Sequence, residues 1–149
     1  INGVAFEHFA KLYNNKEKRK RLLSRAAIIT DSDPTDDKAV SDRALKAQGF
    51  EAGNLKVRLA SDSFEFDLFK ESDKNRGLVQ DVYRSLHPKT EDLKGNFSLD
   101  VFKKRLNESF RDKGDFAFSL SAKLESVEKE EFDIPDYIRK AVEWVVKGT

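Results

Sequence analysis

The pattern of apolar and polar positions divides the chain into a short α/β part and a longer helical part. After an apolar opening, Ile1 to Phe6, broken by Gly3, residues Phe6, Phe9, Ala10 and Tyr13 recur at helical spacing. Ala26-Ala27-Ile28-Ile29-Thr30 is an unbroken, largely apolar run that stops at Asp31. A run this short predicts a buried parallel strand with a loop at its carboxyl end. Over residues 36–48, Ala39, Val40, Ala44 and Leu45 form a helical stripe, and Gly49 suits a C-cap. Leu55-Lys56-Val57-Arg58-Leu59 alternates as a second strand does.

From residue 64 onward the spacing is helical. Phe64 to Phe69 and Leu78 to Leu86 carry stripes, the second stopped by His87-Pro88. Ser98 caps a segment in which Leu99, Phe102 and Leu106 share a face. Phe116, Ala117, Leu120 and Leu124 form another stripe, and Pro135 opens a last helix with Ile138, Ala141, Val142 and Val145 inward. The expected fold is α/β, a small parallel sheet flanked by helices with a C-terminal helical extension. The expected division is residues 1–69 for the α/β core and 70–149 for the extension.

Composition narrows the chemistry. With hydrophobic residues at 38%, charged residues at 37% and twelve Phe, the chain has a very polar surface yet enough apolar mass to fold as one ordinary domain. The absence of Cys excludes disulfides, thiolate zinc sites and a Cys nucleophile. His8 and His87 are too few and too far apart for a histidine zinc site and are read as structural. Any metal is then a hard cation on carboxylates: magnesium, manganese or calcium. No apolar run approaches the roughly 18 residues of a membrane span and no signal peptide is visible, so the expectation is a cytoplasmic chain without a membrane partner. A net charge of +1 leaves nucleic-acid binding open. The run Lys16-Glu17-Lys18-Arg19-Lys20-Arg21, followed by Arg25, suits phosphates, although a solvated loop is the plainer reading. The chain opens at Ile1 without Met, inside an apparent element, and is expected to be part of something longer.

Open α/β sheets bind ligands at the carboxyl ends of their strands, where Asp31 and Asp33 are expected. Two carboxylates one residue apart can converge on one cation. An EF-hand reading fails, because Asp36 stands where a glycine is needed and Lys38 where an apolar residue is. Asp31-Ser32-Asp33-Pro34-Thr35 resembles the nucleophile loop of haloacid-dehalogenase phosphatases, but Gly114-Asp115 follows no apolar strand. Turn and cap roles for Asp31, Asp33 and Pro34 are a third reading. The fourth is a Toprim domain.

That fourth reading rests on ordered segments along the chain. Asn2-Gly3 with Phe6, then Ile28-Ile29-Thr30-Asp31-Ser32-Asp33, then Ser63-Phe64-Glu65-Phe66-Asp67-Leu68 with Asn75, resemble successive motifs of the overcoming-lysogenization-defect (OLD) family. Lys113-Gly114-Asp115-Phe116-Ala117 and Ile134-Pro135-Asp136-Tyr137-Ile138 look like its later helix starts. The resemblance implies a Toprim-type DNA endonuclease or nickase with a role in phage defence. It would use two Mg2+ or Mn2+ ions, with Ca2+ as an alternative ion. Asp31 and Asp33 would hold one ion and Glu65 the second. Lys113, with Ser109 four residues before it, would stabilise the transition state. The implied partners are DNA and the protein's own ABC-type ATPase domain, through which oligomers would form.

Three departures stand beside the resemblance. The family's first Toprim Glu, upstream of the glycine strand, has no counterpart, and Glu7 belongs to a helix. No Gly-x-x-x-x-Gly-Lys-Ser/Thr loop is present. Arg111 stands where some members carry an acid. Plainer readings also remain: Glu65 as a first-turn helix residue, Lys113 as an exposed loop lysine, and Asp36 and Asp37 as helix openers rather than outer-shell partners. A rival from another class is a non-catalytic module that docks DNA or a partner.

Overall fold

A computed structural model of the chain describes residues 6–108 and 110–148. In chain order these form α1 (Phe6–Tyr13), β1 (Ala26–Thr30), α2 (Asp42–Gln48), β2 (Leu55–Leu59), α3 (Phe64–Glu71), α4 (Asp73–Leu86), α5 (Leu99–Glu108), α6 (Phe110–Leu124) and α7 (Asp136–Lys147). Among the described residues the sheet has two strands, and the class is α/β. The chain forms two compact units. One runs to Phe64 and resumes at Pro135; the other is Glu65–Ile134. Sequence spacing put the division at 69/70 and the last helix in the extension. In the structure α7 belongs to the α/β unit.

In that unit β1 and β2 run parallel, with Ala26 opposite Leu55 and Thr30 opposite Leu59. On one face Leu55 and Val57 are buried, and α2, which packs on both strands, buries Ala44 and Ala47. Side chains this small let a helix lie close to a strand. Lys56 lies between Leu55 and Val57 and so points to the opposite face, where it meets Trp144 of α7 with its Nζ 5.5 Å from the ring centroid. Trp144 Nε1 donates to the Ala26 carbonyl at 3.0 Å. This indole contact fixes which side of α7 faces the sheet. Ala141 is buried as expected, but Val142 is 55% exposed and Val145 43%. Nor is β1 buried on both faces, since Ile29 is 45% exposed; with two strands, both are edges.

The helix expected from residue 36 begins at Asp42. Ser41 stops it there, its hydroxyl accepting from Ala44 N at 3.3 Å while its own N–H donates to Ser32 O at 2.8 Å. Thr35 and Lys38 close a turn through reciprocal backbone bonds of 2.8 and 3.2 Å. Asp36 and Asp37 therefore sit in a loop and open no helix.

The second unit is helical, around an aromatic core. Phe102 is fully buried and meets five rings: stacked on Phe69 at 5.4 Å, and against Tyr83 at 5.1 Å, Phe116 at 5.6 Å, Phe66 at 5.8 Å and Phe97 at 6.3 Å. Offset-stacked and edge-to-face pairs of this kind add to the burial of the rings themselves. The spacing of Leu99, Phe102 and Leu106 foretold this face of α5. Ala117, expected on the α6 stripe, is exposed. Asn75, wholly buried near the start of α4, exchanges two hydrogen bonds with the backbone of Asp133, Nδ2 to O at 2.7 Å and N to Oδ1 at 2.8 Å. Among the described residues no helix is long and apolar enough to cross a membrane.

Candidate metal centre

Parallel strands end on the same edge, so the loops after β1 and β2 meet there. Ser32 is the pivot and is buried. Its N–H and hydroxyl, and the N–H of Asp33, all donate to the carbonyl of Asp62 in the loop after β2, at 3.1, 3.2 and 3.2 Å. Asp33 takes a positive φ of 44°, a conformation that Asp tolerates better than most side chains. With Ser32 turned inward, Asp31 and Asp33 flank it and project to one side.

Both carboxylates converge on a single cation, Arg43. Its guanidinium contacts Asp33 Oδ2 and lies 3.9 Å from Asp31 Oδ2. Arg43 stands in the first turn of α2, an end that the helix dipole makes unfavourable for a cation; the acidic pair offsets that cost. Asp31 Oδ1 also accepts from Phe64 N at 2.9 Å. Side-chain exposures of 35% for Asp31 and 45% for Asp33 leave the pair open to solvent. Sequence patterning missed Arg43 and Asp62, since neither occupies a recognisable spacing from the Asp pair.

The fit to a metal can be judged from these donors. Two hard carboxylates, accessible and already converging on one positive group, suit a single divalent ion whose remaining positions are water or phosphate oxygens. Among the described residues no group of three or more His, Asp or Glu side chains is gathered as a larger cluster requires. Glu65 lies in the first turn of α3, half-buried, at the start of the second unit.

The remaining expected residues lie in the second unit. Lys113, read as a loop lysine before a helix, is the fourth residue of α6, because that helix starts at Phe110 and runs through Gly114. Ser109 lies outside the described residues. His87, read as structural, has its Nε2 3.3 Å from Asp112 Oδ2 without a hydrogen bond between them, and the same oxygen accepts from the Tyr83 hydroxyl at 3.3 Å. Burial, and next the Asp112 carboxylate, push the Tyr83 hydroxyl well above its ordinary value. A cavity of about 190 Å³ adjoins the three, bordered also by Arg105 and Glu108.

Comparison of the chain with protein-family models, with curated proteins and with solved structures finds no match.

Proposed function

We propose that the chain is the Toprim-like nuclease part of an OLD-type enzyme, a DNA endonuclease or nickase dependent on Mg2+ or Mn2+. The observation that carries this reading is the convergence of Asp31 and Asp33 on one cationic group at the carboxyl end of a parallel strand. That edge is where open α/β sheets bind ligands, and in the proposal a divalent ion takes the place that the Arg43 guanidinium holds.

Asp31 and Asp33 hold the ion, with Ser32 and Asp62 fixing the loop that aims them. Glu65 is the proposed ligand of a second ion. When bound, such ions lower the pKa of a water and neutralise charge on the phosphate. Water oxygen adds to phosphorus, one ester P–O bond breaks, and the leaving oxygen takes a proton. Lys113 supplies a compact positive charge to the phosphate oxygens as negative charge builds on them, with Ser109 near it in sequence. DNA is the proposed substrate, and an ABC-type ATPase domain the proposed neighbour in the whole protein.

The test is nicking of supercoiled plasmid with Mg2+, Mn2+ or Ca2+. Asp31→Asn and Asp33→Asn should each abolish nicking while keeping the wild-type circular dichroism spectrum. Equal nicking by wild type and both variants removes the carboxylates from the chemistry.

A structural reading of the pair has its own observations: Asp31 accepts from Phe64 N, and Asp33 is paired with Arg43. It predicts that Asp31→Asn lowers the melting temperature without altering Mn2+ binding by titration calorimetry.

A further inference from the structure

The α/β unit is electrically polarised along its strands. At the carboxyl edge, and in the loop leading to α2, stand Asp31, Asp33, Asp36, Asp37, Asp42 and Asp62, against Lys38 and Arg43. At the amino edge the balance reverses. Residues 16–21 hold five cations and one acid, and Arg25 and Lys56 lie at the beginnings of the two strands.

This basic segment is fastened to the fold. Leu22 N donates to Leu12 O at 2.8 Å, at the end of α1, and Arg21 Nε donates to Asn15 O. Asn54, just before β2, donates its side-chain amide to Leu22 O and, at 3.4 Å, to Ser24 O. Its carbonyl accepts from Ala26 N at 2.9 Å, so the segment is held at the amino edge of the sheet. Glu17 engages Lys20 at 2.7 Å and Arg19 at 3.4 Å. Among the described residues no carboxylate pairs with Lys16 or Lys18, and both are exposed. At the strand starts, Arg25 and Lys56 lie over the Trp144 ring, 5.7 and 5.5 Å from its centroid.

We infer that this amino-edge surface grips the phosphodiester backbone of duplex DNA at a place remote from the Asp31–Asp33 pair. The separation follows from β1, whose five residues span about 16 Å at about 3.3 Å each. The inference rests on the nuclease reading for its choice of polyanion. It adds that holding and cutting are done at opposite ends of one strand, so binding needs no divalent ion. Cations strung along an anchored segment and continued onto the strand starts suit a linear run of phosphates. A bilayer is less well matched. Leu23 is 94% exposed, but the basic segment has only a three-residue 3-10 turn, Lys18–Lys20, and no amphipathic helix to lie in an interface.

The experiment is fluorescence anisotropy of labelled duplex DNA in EDTA over a range of salt concentrations. The wild type should bind. Lys16→Gln/Lys18→Gln/Arg19→Gln should bind at least about tenfold more weakly, with a salt slope lower by roughly 2 to 3, near 0.9 per lost phosphate contact. Lys16→Arg/Lys18→Arg, which keeps the charge, should retain binding. Its retention separates a charge effect from a folding defect, and Trp144 fluorescence checks the fold of each variant. Asp31→Asn/Asp33→Asn should bind at least as tightly as wild type whether or not it cuts, so loss of cleavage and loss of grip are distinguishable. Unchanged affinity and slope in the Gln variant overturn the inference. So does absence of DNA binding together with uptake onto phosphatidylserine vesicles that the Gln substitutions abolish.

Discussion

The guanidinium of Arg43 rests on the carboxylate of Asp33, ten residues earlier in the chain. It lends the loop a counter-charge that a metal would displace. Two unit charges 4 Å apart in water interact by about 1 kcal/mol. Arg43→Ala should therefore tighten Mn2+ binding about fivefold by titration calorimetry, while lowering the melting temperature in chelator. Mn2+ should then stabilise the variant more than it stabilises the wild type. Weaker Mn2+ binding by Arg43→Ala would remove the idea that arginine and metal compete for one place.

Phe102 joins five rings in the helical unit, and its truncation leaves a hole that none of them can fill alone. Phe102→Ala is expected to cost about 3–5 kcal/mol in urea unfolding, and Phe102→Leu clearly less. A loss below 1 kcal/mol for the alanine variant would mean that the core closes over the gap.

Asn75 satisfies both backbone groups of Asp133 from a fully buried position. Asn75→Ala strands both, at about 1–3 kcal/mol for each buried group left without a partner. Asn75→Asp keeps the acceptor but loses the donor, so it should unfold at a denaturant concentration between alanine and wild type. If Asn75→Asp proves the less stable of the two, charge burial outweighs the hydrogen bond.

Tyr83 gives a pH signature. Its hydroxyl titrates higher in the folded than in the unfolded chain, for the reasons of burial and the Asp112 carboxylate. The stability tied to its neutral form is complete below the unfolded value of about 10 and is lost as pH rises toward the folded value. Above pH 10 the wild type should lose up to about 1.4 kcal/mol per pH unit through this group. Tyr83→Phe should lack that component. Urea titrations of both proteins at pH 9 and pH 11 isolate it, and parallel losses would exclude Tyr83 as the source.

Much of the local structure was legible because local chemistry determined it. The run Ala26–Thr30 and the alternation of Leu55–Leu59 match β1 and β2 residue for residue, and the Phe6 and Ser98 signals match helix starts. Pattern failed where two distant segments decided the outcome. Ala39 and Val40 fit a helical stripe, yet Ser41 bonded to Ser32 sets the start of α2. Lys113-Gly114-Asp115 reads as a helix start, yet α6 already begins at Phe110 and runs through Gly114. Val142 and Val145 are as apolar as Ile138, and only the reach of Trp144 to Ala26 decides which side of α7 turns inward. At the candidate site the Asp pair was visible as a motif. Its counter-ion was not, because nothing in the spacing of Arg43 marks it.

The hydrogen bond from Trp144 to Ala26 spans 118 residues. It gives the molecule an order of assembly. A chain emerging from the ribosome can complete the Phe102 core once Ile134 is out. The sheet must wait for α7, while the face that carries Lys56 stands without that cover. The α/β unit is therefore the late-folding partner, closed by loops whose entropy has to be overcome at the end. A stop codon placed before Trp144 should leave the helical unit intact and the β1–β2 pair unmoored. The edge that carries Asp31 and Asp33 would thus come into being last.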